Sequence, residues 1–194
     1  MYIKTAPLEK PMRNLISETA EKVSDNIVSM KYSDNIPPEK KVSDLVSIDW
    51  RNVLPEPPEN NSQITREEIQ EVSELSDKRT DRQVELVMVV DKDIRVMFER
   101  LLKDNNLSYP AEKIKKIYNT IVFPVIMNLK WRYNRPRPYQ LAPKFGVEID
   151  YIPTDTINTP SYPSGHTAYA TIIASVLSEM YPEFSSEFYE LVNV

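Results

Sequence analysis

Apolar residues recur at three- and four-residue steps through the middle of the chain: Val84, Val87, Val90, Ile94, Met97 and Leu101. That period puts them on one face of an α-helix and predicts a single amphipathic helix from Asp81 to about Lys103, closed by Asn105-Asn106. Upstream, Thr65-Arg66-Glu67-Glu68 reads as a capping box, with Thr65 at the N-cap and Glu68 at N3, opening a polar helix to about Lys78. Downstream, Pro110 suits the first turn of a helix reaching about Trp131, and Pro124 inside it predicts a kink. Prolines at 136, 138, 143, 153 and 160 exclude any long regular element from Arg132 to Tyr162. Apolar periodicity returns in a helix over about Gly165–Tyr181, followed by another from Pro182 to Val194.

Two glycines against sixteen prolines speak against tight hairpins and an all-β sandwich or barrel. The expected class is all-α. The first sixty residues say least. Leu15 to Met30 fits a short amphipathic helix, and a weak Lys-(Val/Tyr)-Ser-Asp repeat at Lys22, Lys31 and Lys41 is too short to be a packing unit. Pro55 to Ser62 has the composition of a linker, which divides the chain into an arm, 1–62, and a helical domain, 63–194.

A hydrophobic content of 41% with 27% charged residues places the chain among soluble globular proteins. The net charge of −5 speaks against general nucleic-acid binding. No secretory signal is visible at the start. The most apolar stretches, Ile117–Leu129 and Ala168–Leu177, are too short to span a bilayer, and Asn119 and Asn128 interrupt the first. The expectation is a soluble, cytoplasmic protein. Without cysteine there is neither a disulfide nor a thiolate metal site.

Candidate chemistry concentrates in two segments. Lys130 to Pro138 reads KWRYNRPRP, with cations at Lys130, Arg132, Arg135 and Arg137 and no acid. Pro163-Ser164-Gly165-His166 holds the sole histidine and one of the two glycines. Lys130 falls in the last turn of its helix, where a cation also complements the helix dipole. Arg137 offers a planar fork for two oxygens of a phosphate, and Lys130 a point charge. Ser164 stands just before a helix, so it is either a plain N-cap or a hydroxyl aimed, with the amides of Gly165 and His166, at an anion. A glycine at 165 lets the backbone approach such a ligand closely. His166 beside a dianion is a proton donor at neutral pH.

Together the two segments resemble the type 2 phosphatidic acid phosphatase (PAP2) and vanadium haloperoxidase superfamily. Its first motif, Lys, six residues, Arg-Pro, is matched by Lys130 to Arg137-Pro138; its second, Pro-Ser-Gly-His, by Pro163 to His166. The resemblance covers about residues 85–194. It implies a helical bundle of that type in which Lys130 and Arg137 hold non-bridging oxygens of phosphate or vanadate. Ser164 and the Gly165 amide would hold others, and His166 would be the catalytic acid. The third motif, Ser-Arg, five residues, His, three residues, Asp, carries the family's nucleophile and is absent from these 194 residues. The expectation is therefore a bundle incomplete at its C-terminal end, with a degenerate homologue as the alternative.

The functions this implies are an acid-phosphatase-like hydrolase of phosphomonoesters, impaired in this chain; a vanadate-dependent haloperoxidase; or a non-catalytic anion-binding module. The expected partner is a phosphorylated small molecule, or phosphate or vanadate. No metal or cofactor is expected, other than vanadate in the haloperoxidase case. An open core beside the last two helices would expose an apolar patch and favour homo-oligomers.

Overall fold

The computed structural model describes residues 25–44 and 46–193. Among them every regular element is helical, as the all-α class requires. The α-helices are α1 (Gln63–Lys78), α2 (Asp81–Lys92), α3 (Arg95–Asp104), α4 (Ala111–Ile117), α5 (Phe123–Tyr133), α6 (Pro138–Leu141), α7 (Gly165–Met180) and α8 (Ser185–Glu190). The expected helix over Leu15–Met30 lies mostly outside the described residues; residues 25–28 are helical.

The core forms around α7. Between Gly165 and Ser178 this helix has no Asp, Glu, Lys or Arg, and a helix apolar nearly all round must be covered. Ala170, Ile173, Ala174, Val176 and Leu177 are buried in one cluster with Ile94 at the N-cap of α3, Phe98 and Leu102 of α3, Ile114 of α4 and Phe188 of α8. A smaller cluster joins Ile69 of α1 to Leu141 and Ala142.

Three expectations change. The α1 cap is Ser62, not Thr65: the Ser62 hydroxyl accepts from Thr65 N at 3.2 Å. Thr65 is buried at N3 and donates its own hydroxyl to Glu59 O at 2.8 Å. The helix expected over 81–103 is two helices. Asp93 leaves helical geometry (φ −156°, ψ 94°), and its carboxylate accepts from Arg95 N at 3.0 Å and Arg95 Nε at 2.7 Å. Aspartate bonding the nearby backbone competes with the helical ladder, and here it turns α3 into the core while α2 adds no buried apolar residue to it. The exposed apolar side chains also lie elsewhere than expected. On α7 and α8 only Met180 and Tyr189 are exposed, whereas α1 and α2 expose Ile64, Val72, Leu75, Leu86, Val87 and Val89.

Pro124, expected to kink its helix, follows a widened turn. It has no N–H for the Thr120 carbonyl, and residues Tyr118–Val122 form a π-helical turn in which Phe123 N donates to Tyr118 O. The turn sets Tyr118 against Tyr169 of α7 with ring centroids 3.9 Å apart.

Residues 31–40 lie along α5, zipped to it by two asparagines. Asn128 accepts from Lys40 N at 2.7 Å and donates to Lys40 O at 2.8 Å. Asn134, in left-handed backbone at the α5 C-cap, does the same with Ser33 N and Ser33 O.

Candidate oxyanion site

The segments carrying the candidate residues are brought together by backbone pairing. Ser161 N donates to Arg135 O at 3.1 Å, and Ser161 Oγ to Pro136 O at 2.8 Å. The Tyr162–Pro163 peptide that follows is cis. One cavity of ≈ 670 Å³ is lined by Lys130, Arg137, Ser164, Gly165 and His166 together, with α2, α4 and the π turn closing its far side.

Helical geometry sorts the four cations of the KWRYNRPRP segment. Residues two apart on a helix point to opposite faces, so Lys130 enters the cavity whereas Arg132 leaves it to donate to Arg51 O. Arg135 turns back to α1 and pairs with Glu68 at 3.0 Å. Lys130 is buried, and its ammonium donates to Pro160 O at 2.5 Å, leaving two N–H groups for a ligand. Burial, and then the nearby Arg137, push its pKa down to about 8. Arg137 is also held below the ordinary arginine value by burial. One edge of its fork is committed: Nε donates to Thr159 O at 2.8 Å and Nη2 to Thr156 O at 2.6 Å. Nη1 is the nitrogen left to meet an anion, so the two-oxygen grip expected of this fork is not available on the Nε–Nη2 edge.

Ser164 is the N-cap of α7. Its hydroxyl oxygen accepts from Thr167 N at 3.2 Å and from Thr167 Oγ1 at 3.0 Å. With both lone pairs engaged, the hydroxyl proton is free to be donated outward. Behind it stand the unpaired N–H groups and positive dipole end of a 16-residue helix. A Cβ built on Gly165 would lie 3.8 Å from Lys130 Cε and 3.9 Å from Ile126 Cγ2, ordinary contact distances. The protein's own packing thus does not demand glycine there.

Residues 115–191 match the family model of the PAP2 superfamily. For this chain the match supports membership of that superfamily over the matched residues. No curated protein and no solved structure matches it.

The PAP2 segment begins in α4 and ends beyond α8, so it holds all five candidate residues. Several groups around them were not singled out from the sequence. Pro160 O, Thr156 and Thr159 orient Lys130 and Arg137, but backbone carbonyls leave no sequence signal. Asp91 comes from α2, outside the PAP2 segment. Its Oδ1 lies 3.8 Å from His166 Nε2, and Oδ2 accepts from Asp155 N at 3.0 Å. It occupies a polar position of an amphipathic helix and reads there as solvated surface.

A second cavity of ≈ 790 Å³ abuts the first, sharing Met127 and Thr159. Its walls include both tryptophans, Trp50 and Trp131, with Ile36, Pro37 and Pro38 from the arm. Among the described residues no group of three or more His, Asp and Glu is arranged to hold a metal ion, and no helix is long and apolar enough to cross a membrane.

Proposed function

We propose that the cavity around Lys130 and His166 binds the phosphoryl group of a phosphomonoester, as the anion site of an acid-phosphatase-like hydrolase. The observation that carries this reading is the convergence in one cavity of a buried ammonium with two uncommitted N–H groups, a guanidinium edge, and a helix N-terminus with an outward hydroxyl. Such donors are fixed before the ligand arrives, so they stabilise charge developing on phosphorus-bound oxygens without reorganising. His166 is the acid: its imidazolium passes a proton to the departing ester oxygen and is left neutral. The neighbouring apolar cavity has room for the ester's organic part. Because the family binds vanadate and phosphate alike, the haloperoxidase reading uses the same five residues.

The sequence contains a single histidine, and the reading above uses it as the acid. This favours a second reading, in which residues 1–194 bind an oxyanion without turning over an ester. Titration of vanadate by calorimetry, run beside hydrolysis of an activated aryl phosphate, separates the possibilities. Binding is expected, since each charge-assisted hydrogen bond contributes roughly 1.5–3 kcal/mol, with hydrolysis nearly absent. Arg137→Ala should abolish binding and Arg132→Ala should barely change it. No binding by the unaltered chain would sink the oxyanion site. Efficient hydrolysis would refute the assignment of His166 as acid only.

A further inference from the structure

We propose that Asp91 is the positioning residue of His166: a buried carboxylate that faces Nε2, orients the imidazole, and fixes Arg137 through the turn at 155–158. The proposal rests on the reading of His166 as the acid of an oxyanion site.

The Asp91 side chain is 7% exposed, whereas the His166 ring 3.8 Å away is 38% exposed. A carboxylate buried to that extent needs compensating partners. Asp91 has two neutral donors, Asp155 N on Oδ2 and the Thr156 hydroxyl on Oδ1. The group that balances its charge within ion-pair distance is His166 when protonated.

The other charges around the imidazole are mostly cations. Lys130 on α5 and Arg137 before α6 both oppose a third cation in the cavity, and Lys115 on α4 adds to them. Asp93 is forked onto Arg95, Nη2 to Oδ2 at 2.6 Å, so that pair contributes little net charge. Asp155 lies on the rim, in the turn that Asp91 holds. Among the described residues Asp91 is the carboxylate paired with His166, and it offsets the two site cations before any anion arrives.

Asp91 also acts on the other side of the site. It grips Asp155 N and Thr156, while the carbonyls of Thr156 and Thr159 grip the Arg137 guanidinium. One carboxylate therefore orders both the acid and the anion-binding arginine.

The chain has one histidine, so the imidazole signals in an NMR spectrum belong to His166 without further assignment. In the ligand-free 194-residue protein at one fixed pH, the imidazole signals should shift and broaden in Asp91→Asn, because the ring loses the carboxylate it faces. The melting temperature of that variant should be little changed, because asparagine keeps an acceptor for Asp155 N–H. If Asp91→Asn does not fold, His166→Gln decides the matter: the Asp91 carboxyl carbon signal should move when the imidazole is removed. Imidazole signals unmoved in folded Asp91→Asn, or a carboxyl signal unmoved in His166→Gln, would overturn the proposal and leave Asp91 a tie for the 155–158 turn. These measurements use no ligand, so a failure to bind vanadate would count against the oxyanion reading alone.

Discussion

α7 and α2 are both periodic helices, and they use their periodicity differently. α7 buries Ala170, Ile173, Ala174, Val176 and Leu177 and forms the centre of the core. α2 carries Val84, Leu86, Val87, Met88, Val89 and Val90 in twelve residues, yet none is buried. Its Asp91 carboxylate, at the edge of the cavity, is 7% exposed. Helical period thus reports where a helix has an apolar face, not whether that face is covered. The first helix holds the fold, and the second delivers a charge.

The largest expected effect breaks the core side of the contrast. Leu177 is fully buried between α3 and α8. Leu177→Ala removes its packing and leaves a cavity, which costs about 2–5 kcal/mol. Urea unfolding should show that loss in the midpoint with an unchanged slope. A loss below about 1 kcal/mol would mean that α7 is not the centre of the core.

Next comes the site itself, where stability and binding should move in opposite directions. Lys130 titrates at about 8 in the folded chain, against an ordinary value of 10.5. Between those values the unfolded chain binds more protons than the folded one, so stability rises with pH across that window. Below pH 8 the full destabilisation by the buried ammonium is present, roughly 3 kcal/mol. Lys130→Met should remove it, lose about 1 kcal/mol with the bond to Pro160 O, and so stabilise the chain by about 2 kcal/mol at pH 7. The same variant should lose anion binding. Sulfate, whose charge does not change in this range, should bind the unaltered chain up to tenfold more weakly for each pH unit above about 8. Sulfate affinity level from pH 7 to 9.5 would show that Lys130 does not meet the anion.

Much of this was legible in the sequence, and the rest has identifiable reasons for being hidden. The apolar run 168–177, the Pro-Ser-Gly-His turn and the prolines of 136–160 led to the all-α class and to α7 starting after Ser164, because each is a local rule. The split of the 81–103 helix was missed. Asp93 carries no proline or glycine, and its competition with the helix works only once Arg95 closes on it. The Ser62 cap was missed because two hydroxyls stand three residues apart and tertiary burial of Thr65 chose between them. Lys130 and Arg137 were picked by residue type. Their actual donors, two N–H groups of one and Nη1 of the other, depend on carbonyls at 156, 159 and 160 that any residue supplies.

A smaller effect sharpens the site side. Gly165→Ala places a methyl at ordinary contact distance from the Lys130 stem. At the first position of α7 alanine is also the better helix former, so stability should hold or rise by about 0.5 kcal/mol. The methyl faces the space an oxyanion would enter, and calorimetry should show vanadate binding weakened tenfold or more. Unimpaired binding would place the anion away from the α7 N-terminus and weaken the whole assignment.

The smallest effect returns to α2 with the same chemical deletion as the first. Leu86 is 42% exposed, so Leu86→Ala withdraws only part of a leucine's burial and leaves no closed cavity. Alanine's higher helix propensity offsets some of that loss. The expected cost is below about 1 kcal/mol, against several for Leu177→Ala, in identical urea titrations. The concentration dependence carries the sharper information. A face already facing water gives the same small cost at all protein concentrations, whereas a cost that grows as the protein is concentrated means that another copy covers Leu86. In that case α2 would bury its apolar face between molecules, and its difference from α7 would be one of partner rather than of burial.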